Sequence, residues 1–263
     1  MRLDPDMMAA AQKVHVNIPY RMYREEAHLR SLFDHLRLNP EFGMDAQALA
    51  RYTDGDFNES AQHVEDLGCR ITLHGPFEGV DLGADNTELL LESHRLMERL
   101  LEAAAIMKPQ TVVCHTGYSP GEAHSREWIK RARKAWAHYA EAFHDKGTAL
   151  LLENVHEPSA GVMAMLTEGI PHLGVCLDTG HLNAYGDGDL NAWVRLLGEA
   201  TREIHLHDNH GGEDLHLPPG EGSMDLTPAM ELARQKGVIV TLEPHVPEDL
   251  PAGLAFVAQS PGF

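Results

Sequence analysis

The sequence predicts an α/β fold in which eight strands alternate with helices and close into a (β/α)8 barrel. Three observations support this prediction. Eight short runs rich in Val, Ile and Leu recur along the chain, and about 25 to 40 residues separate their starts, which leaves room for a helix. The length of 263 residues suits one such barrel, so we expect residues 1–263 to form a single domain. A doubly wound open sheet is the alternative, but no Gly-x-Gly-x-x-Gly follows the first run.

Most of the predicted strands carry apolar residues at consecutive positions, as strands buried on both faces do. The run at 39–44 (NPEFGM) has the weakest pattern. In chain order, the predicted strands are 13–18, 39–44, 71–75, 111–115, 149–154, 174–179, 203–208 and 238–243.

Several of the intervening segments have recognisable helix ends. Residues 85–88 (DNTE) resemble a capping box, with Asp85 as the cap and Glu88 three residues later. An apolar stripe over 128–143 predicts a helix that stops before Gly147. In 227–237, Thr then Pro predicts a capped helix that ends at the glycine. The short, proline-rich segment 244–263 predicts a stunted last helix.

Composition excludes several classes of protein. The net charge is 21 − 40 = −19, which argues against a nucleic-acid-binding protein because phosphate backbones need a basic face. No basic segment followed by an apolar run opens the chain, and no stretch approaches the roughly 20 apolar residues of a membrane span. Three cysteines (Cys69, Cys114 and Cys176) in apolar runs do not predict a disulfide framework. We therefore expect a cytoplasmic protein.

The chain contains 18 histidines, nearly as many as its 21 lysines and arginines, and several follow predicted strands. In a barrel, the carboxyl ends of the strands face one shared pit, where catalytic groups are found. Strands three to eight end in imidazoles and carboxylates. These nine candidate metal ligands are His74, His115, Glu153, Asp178, His181, His205, Asp214, His216 and Glu243.

Carboxylates gathered in one pit repel one another and lose hydration, so they take up protons unless cations neutralise them. Divalent metals supply that charge, and a His/Asp/Glu set suits Zn, Mn, Fe or Co. A single strand-end histidine is more often a capping or hydrogen-bonded residue, but that explanation would have to hold independently at six successive strands. Cys114 lies next to His115 and should face away from the pit, because neighbours on a strand alternate in direction.

The motifs around these residues resemble a known family. They are HGPF, CHTG, LLLEN, CLDTGHLNAYG, HLHDN followed by DLHLPPGEG, and TLEPH. From about residue 13 to 245 the chain resembles the xylose-isomerase-like TIM-barrel superfamily, which joins sugar isomerases and epimerases with the endonuclease IV class of abasic-site enzymes.

The resemblance implies two alternative metal sets. In the epimerases one divalent metal is held by four residues that fall here on Glu153, Asp178, His205 and Glu243, and the two glutamates also act as acid and base. In endonuclease IV three zinc ions use nine ligands, which fall on all nine residues named above, with Glu153 bridging two ions. The smaller set lies within the larger, so ligand type alone fits both.

Charge favours the small-molecule alternative. Three Zn²⁺ ions would bring the net charge from −19 only to −13, and the loop after strand seven (DNHGGEDLH) is acidic where a phosphate-tracking loop would carry Arg or Lys. The loop after His74 offers no basic residue, and LPPGEG, with Glu221, resembles the loop of the isomerases and epimerases.

The predicted function is therefore a metal-dependent isomerase or epimerase of a sugar or sugar-derived acid, in which Glu153 and Glu243 transfer protons beside a carbonyl. His181, His207 and Glu157 are the candidate substrate contacts. Zn or Mn is the expected metal, with one to three ions, and a small sugar is the expected partner rather than a nucleic acid or membrane. The oligomeric state is open, with a homo-oligomer as one option. The alternatives are a multinuclear zinc phosphoesterase resembling endonuclease IV and a non-catalytic sugar-binding barrel.

Overall fold

The structure, a computed structural model, describes residues 3–120 and 126–262. Within these ranges eight parallel strands pair in sequence order, and β1 pairs with β8 to close the sheet. The fold is a (β/α)8 TIM barrel, as predicted. The strands are β1 (His15–Pro19), β2 (Asn39–Gly43), β3 (Thr72–His74), β4 (Thr111–His115), β5 (Ala149–Glu153), β6 (Leu173–Asp178), β7 (Thr201–Leu206) and β8 (Ile239–Leu242).

Helices lie outside the barrel between the strands, and the main apolar core fills the space between helices and barrel wall. None of the helices in the described residues is both long enough and apolar enough to cross a membrane. The helices are α1 (Pro5–Ala11), α2 (Tyr20–Glu25), α3 (Ala27–Leu36), α4 (Ala46–Arg51), α5 (Asp54–Asp66), α6 (Thr87–Met107), α7 (Arg126–His144), α8 (Ala160–Thr167), α9 (Thr179–Tyr185), α10 (Leu190–Leu197), α11 (Thr227–Lys236) and α12 (Leu250–Gln259), with a short 3₁₀ turn at Pro247–Asp249.

Each predicted strand run overlaps one observed strand, including the weak run at 39–44. Two helix starts were predicted one residue out of place. Asn86, not Asp85, caps α6 by accepting from the Leu89 N–H at 2.9 Å. The side chains of both residues have the oxygen that a cap needs, so the sequence alone does not distinguish them. Thr227 lies inside α11 rather than capping it.

The prediction of a stunted last helix was wrong. The ten-residue helix α12 forms because Pro251 lies in its first turn, where the missing N–H has no helical partner to lose, and the other prolines of the segment lie outside the helix. It packs against α1, so the two ends of the described chain meet on one side of the barrel.

On strands β4 to β6 the barrel interior holds a small apolar cluster just below the strand ends. Val113 and Leu151 are register partners and form a small buried cluster with Cys176. Two residues further along each strand, on the same face, lie His115 and Glu153. Cys114 faces the outer core, as expected from the alternation. The chemistry-bearing side chains are thereby held at the carboxyl end of the barrel.

Candidate metal centre

Strand register brings the predicted ligands together. His115 is the register partner of Glu153, and Asp178 is the partner of His205. All nine predicted residues lie at this end of the barrel, and each has a ring nitrogen or carboxylate oxygen within 4 Å of another member.

We call the first group the inner site: Glu153, Asp178, His205 and Glu243. Nδ1 of His205 lies 3.1 Å from Glu153 Oε1, 3.2 Å from Glu243 Oε1 and 3.8 Å from Asp178 Oδ2. Ligands placed 2.0–2.1 Å from a tetrahedral zinc ion lie about 3.3 Å from one another. The three measured distances are near or somewhat above this value, so each of these carboxylates lies close enough to share an ion with His205 Nδ1.

The other oxygen of Glu153 faces two histidines. Oε2 lies 2.9 Å from His74 Nε2 and 3.2 Å from His115 Nε2. The Glu153 carboxylate therefore has one oxygen on each side, as a bridging ligand would.

We call the third group the outer site: His181, His207, Asp214 and His216. Asp214 Oδ2 lies 3.2 Å from His181 Nε2 and 3.1 Å from His216 Nε2, while Asp214 Oδ1 lies 3.6 Å from His207 Nδ1. His181, Asp214 and His216 were predicted ligands. His207 was predicted to contact substrate, and the structure places its ring among them, 1% exposed.

Most of these rings have one nitrogen fixed by an acceptor and the other directed at the cluster. A carbonyl or carboxylate oxygen can only accept, so the fixed nitrogen carries the hydrogen, and the second nitrogen of a neutral ring presents a lone pair. This arrangement is typical of metal-binding histidines. The pairs are His74 Nδ1 to Gly75 O (2.8 Å), His181 Nδ1 to Asn154 O (3.0 Å), His205 Nε2 to Glu41 Oε1 (3.3 Å), His207 Nε2 to Asp178 Oδ2 (3.0 Å) and His216 Nδ1 to Glu243 O (3.0 Å).

The electrostatics of the cluster favour bound positive charge. Burial alone would raise the pKa of the Glu153 carboxyl, but the charges of His205 and His115 hold it well below its usual range. Burial lowers the pKa of His216, but the hydrogen bond that its ring donates to Asp214 outweighs burial and raises the value to about 9. The Glu153 and Asp214 carboxylates are thus ionised, and their charge is balanced either by protons on imidazoles or by metal ions. The donor set fits a divalent metal.

Local backbone structure orients several of these ligands. The Asp178 side chain caps α9 by accepting from the His181 N–H at 2.6 Å, which ties one ligand to another. The side-chain amide of Asn154 donates to Asp178 O and accepts from Asp178 N, both at 2.9 Å, and so joins the ends of β5 and β6.

The loop between β7 and α11 carries Asp214 and His216, and Asp208 holds it in place. This fully buried carboxylate accepts from the N–H groups of Asn209 (2.8 Å), Gly220 (3.2 Å), Gly222 (3.0 Å) and Met224 (3.3 Å). A Cβ at Gly222 would lie 2.2 Å from Asp208 Oδ1, so only glycine fits there.

The sequence prediction missed Glu41 and Glu203, two fully buried carboxyls inside the barrel. Glu41 accepts from His205 and from Asn17 Nδ2 at 2.8 Å. Glu203 accepts from the hydroxyls of Thr111 and Thr241, each at 2.6 Å. Their only sequence signal is a charged residue at an inward position of a strand.

The structure places the predicted substrate contact Glu157 among protein groups. Its carboxylate accepts from Thr116 Oγ1 and from the Val155 N–H at 2.7 Å, and the residue is 1% exposed. It joins the loops after β4 and β5, and a contact with substrate stays a prediction. His181, the other predicted contact, faces Asp214 in the outer site.

A cavity of about 280 Å³ opens beside the centre. Glu243, His216 and Asn17 lie at one end, and apolar side chains such as Ile18 and Leu250 form its walls. This volume is near the lower end of the range for small-molecule sites.

Residues 38–259 match the sequence profile of the xylose isomerase-like TIM barrel. The chain belongs to this family. Proteins that it resembles include the Methanocaldococcus jannaschii protein MJ1311, 25% identical over 179 residues, and a probable endonuclease 4 of Mycobacterium leprae, 24% identical over 200 residues. These alignments cover 64% and 68% of this chain, and 61% and 76% of the relatives. The chain thus spans less than two thirds of the length of MJ1311.

Solved structures of xylose isomerase-like barrels align over nearly the whole chain. A D-tagatose 3-epimerase-like protein superposes with a TM-score of 0.80 at 19% identity, covering 94% of this chain and 96% of that one. The Thermus thermophilus protein TTHB071, from a crystal soaked in ZnCl₂, gives a TM-score of 0.76 at 24% identity, covering 95% and 98%. At these identities the likeness shows the shared fold.

Proposed function

We propose that this protein is a divalent-metal-dependent isomerase or epimerase of a sugar or sugar-derived acid. The observation that carries the proposal is the inner site, where Glu153 and Glu243 approach the same nitrogen of His205 from strands on different sides of the barrel. The neighbouring cavity suits a small molecule, and sugar epimerases are among the proteins that share this fold.

Glu153, Asp178, His205 and Glu243 would hold the metal. When bound, it supplies a Lewis acid that stabilises negative charge on a substrate carbonyl oxygen. One glutamate removes the proton from the carbon beside the carbonyl, and the other returns a proton. Return to the former carbonyl carbon, with the neighbouring hydroxyl proton passing to the former carbonyl oxygen, gives isomerisation, and return to the opposite face of the same carbon gives epimerisation. The depressed pKa of Glu153 keeps its carboxylate ionised, which a group that accepts a proton must be.

The test is a screen of ketoses and aldoses in D₂O, with and without chelator. We expect metal-dependent deuterium incorporation beside the carbonyl of an accepted sugar. Glu153→Gln and Glu243→Gln should each lower turnover by about 10²- to 10⁴-fold, the usual contribution of a general acid or base. Elemental analysis of each variant separates loss of the base from loss of the ion. Full turnover in both metal-loaded variants would refute the proposal.

A multinuclear phosphoesterase is the second candidate. The placement of His74 and His115 on Glu153 Oε2 favours it, since a mononuclear isomerase does not need these two histidines. Metal stoichiometry and cleavage of an abasic duplex distinguish the candidates. Three tightly held ions and strand cleavage would support the phosphoesterase, and one essential ion with proton exchange would support the isomerase.

A further inference from the structure

The outer site contains two buried polar atoms that lack a hydrogen-bond partner. Among the described residues, His207 Nδ1 and Asp214 Oδ1 are both buried and unpartnered, and they face each other at 3.6 Å. His207 is 1% exposed. A buried polar atom without a partner is unfavourable, so a pair of them directed at one point indicates a missing group between them.

The hydrogen bond that His207 makes through Nε2 indicates what this group can be. Because Nε2 donates to Asp178 Oδ2, Nδ1 of the neutral ring is a lone pair. His181 and His216 likewise donate from Nδ1 to backbone carbonyls, so each has its Nε2 atom directed at Asp214 and, once that nitrogen gives up its proton, can offer a lone pair there. Three imidazole nitrogens and a carboxylate therefore converge, and a divalent cation can take the place of the protons between them.

The spacing agrees with a metal ion. The three nitrogens lie 3.1 to 3.6 Å from the nearer Asp214 oxygen, close to the edge of about 3.3 Å expected for a tetrahedral zinc site. The ligand atoms all lie within 4.8 Å of one another. The rings of His207 and His216 are stacked with centroids 3.8 Å apart, so both rings border the same site.

We propose that His207 is a fourth ligand of the outer site, and that its three imidazoles and one carboxylate form a closed site for a zinc-like divalent ion. A site with three protein ligands keeps a position open for water or substrate, whereas four protein ligands complete a tetrahedron. The outer ion is therefore structural: it fixes the loop between β7 and α11, and it cannot clamp a phosphate. This inference holds whatever reaction the inner site performs.

The experiment uses the full chain, stripped with chelator and reloaded with Co²⁺. The wild-type chain should hold an ion whose visible spectrum is that of four-coordinate cobalt, and azide should leave that band unchanged. His207→Ala should weaken cobalt binding at this site by more than about a hundredfold, beyond the effect of removing a residue that only supports a ligand. At limiting free cobalt the variant should hold one ion fewer.

A second variant guards against misfolding. His207→Gln can still donate to Asp178 but has no imidazole nitrogen, so it should lose the ion while keeping the wild-type far-UV circular dichroism. His245→Ala is the matched control, because it removes a ring stacked on His216 at 3.9 Å without removing a ligand, and it should keep the ion. Wild-type cobalt content and affinity in both His207 variants would overturn the proposal. So would an azide-sensitive outer band in the wild-type chain.

Discussion

His205 uses both of its ring nitrogens, and their partners differ. Nδ1 faces Glu153 and Glu243, while Nε2 donates to Glu41, a carboxylate that lies deeper in the barrel. Burial alone would raise the pKa of Glu41, but the charge of His205 and their hydrogen bond lower it to about 2, so Glu41 stays ionised. Glu41 therefore orients the ring and increases its basicity, as carboxylates behind metal-binding histidines do.

Glu41→Gln should weaken divalent-metal binding at the inner site by about 10- to 100-fold, because the ring loses its anionic acceptor. Competition with a chelating dye measures this affinity without reference to any activity. Glu203→Gln is the matched control: it alters a neighbouring buried carboxyl that accepts from threonines, and metal affinity should change little. Equal losses in the two variants would mean that general disturbance of the barrel interior, not orientation of His205, is responsible.

His15 illustrates a buried histidine outside the metal cluster. It lies inside the barrel, 1% exposed, with its ring nitrogens near Thr72 Oγ1 and Gln110 Oε1. Burial is the main cause that lowers its pKa from 6.5 to about 4. The folded protein therefore holds His15 neutral at pH values where the unfolded chain would protonate it.

This shift predicts a pH-dependent contribution to stability. The contribution is complete above pH 6.5 and is lost as the pH falls toward 4, because only the unfolded state then binds the proton. Between pH 7.5 and 5 the loss should be about 2 kcal/mol. In urea unfolding of chelator-treated protein, His15→Gln should lose less stability than wild type over this interval by that amount. The exposed His35→Gln should follow the wild type, and a His15→Gln curve parallel to wild type would contradict the assignment.

At the scale of elements, the start of α9 packs directly against the candidate metal centre. Asp178 caps this helix, and Gly180, its second residue, lies beneath the His207 ring. A Cβ at position 180 would be 2.0 Å from His207 Cε1 and 2.2 Å from Nδ1. Since His207 is also covered by His216, the ring has no free space into which to move.

Gly180→Ala should therefore displace His207, lower the free energy of unfolding by about 1–3 kcal/mol as overpacked buried sites do, and reduce metal content. Gly161→Ala is a close control, because Gly161 is also the second residue of a helix and its Cβ would meet only Ser159 Oγ at 3.7 Å. That substitution should stabilise the protein by up to about 1 kcal/mol through helix propensity. Thermal unfolding and elemental analysis measure both effects, and an unchanged metal content in Gly180→Ala would contradict the packing argument.

For the whole molecule, local patterns predicted most of the fold. A strand buried on both faces requires consecutive apolar residues, so the local sequence predicts β4, β5 and β8 without any information on the strands beside them. Most of the cluster could also be predicted, because a closed barrel brings every strand's carboxyl end to one rim. Helix starts were less certain, since Asp85 and Asn86 are equally able to cap.

The missed residues depend on contacts distant in sequence. Glu41 contacts Asn17 of β1 and His205 of β7. The local segment NPEFGM predicts neither contact, because both partners lie far away in the sequence. His207 follows Glu203 and His205 at alternate positions, a pattern that does predict an inward-facing ring. Which nitrogen faces the cluster is decided by Asp178 on β6, so no local pattern could separate a ligand from a substrate contact.

The charge balance of the whole centre predicts that metal binding releases protons. In the stripped chain, His74 and His216 have pKa values raised to about 9: burial lowers both, but hydrogen bonds with Glu153 and Asp214 outweigh it. Both rings are therefore protonated at pH 7.5 and must lose those protons to bind a metal. The apparent affinity should fall as the pH drops below 9, by about tenfold per pH unit for each proton displaced.

Isothermal titration of the stripped chain with Zn²⁺ at pH 7.5, in buffers of different ionisation enthalpy, measures the number of protons released. We expect at least about one proton per chain, since the neutral ring is the ligand form. His74→Gln and His216→Gln should each reduce the release, while His35→Gln, which alters an exposed helix position, should leave it unchanged. A binding heat that is independent of the buffer would mean that the histidines are already neutral, and that the negative charge of the cluster is balanced in another way.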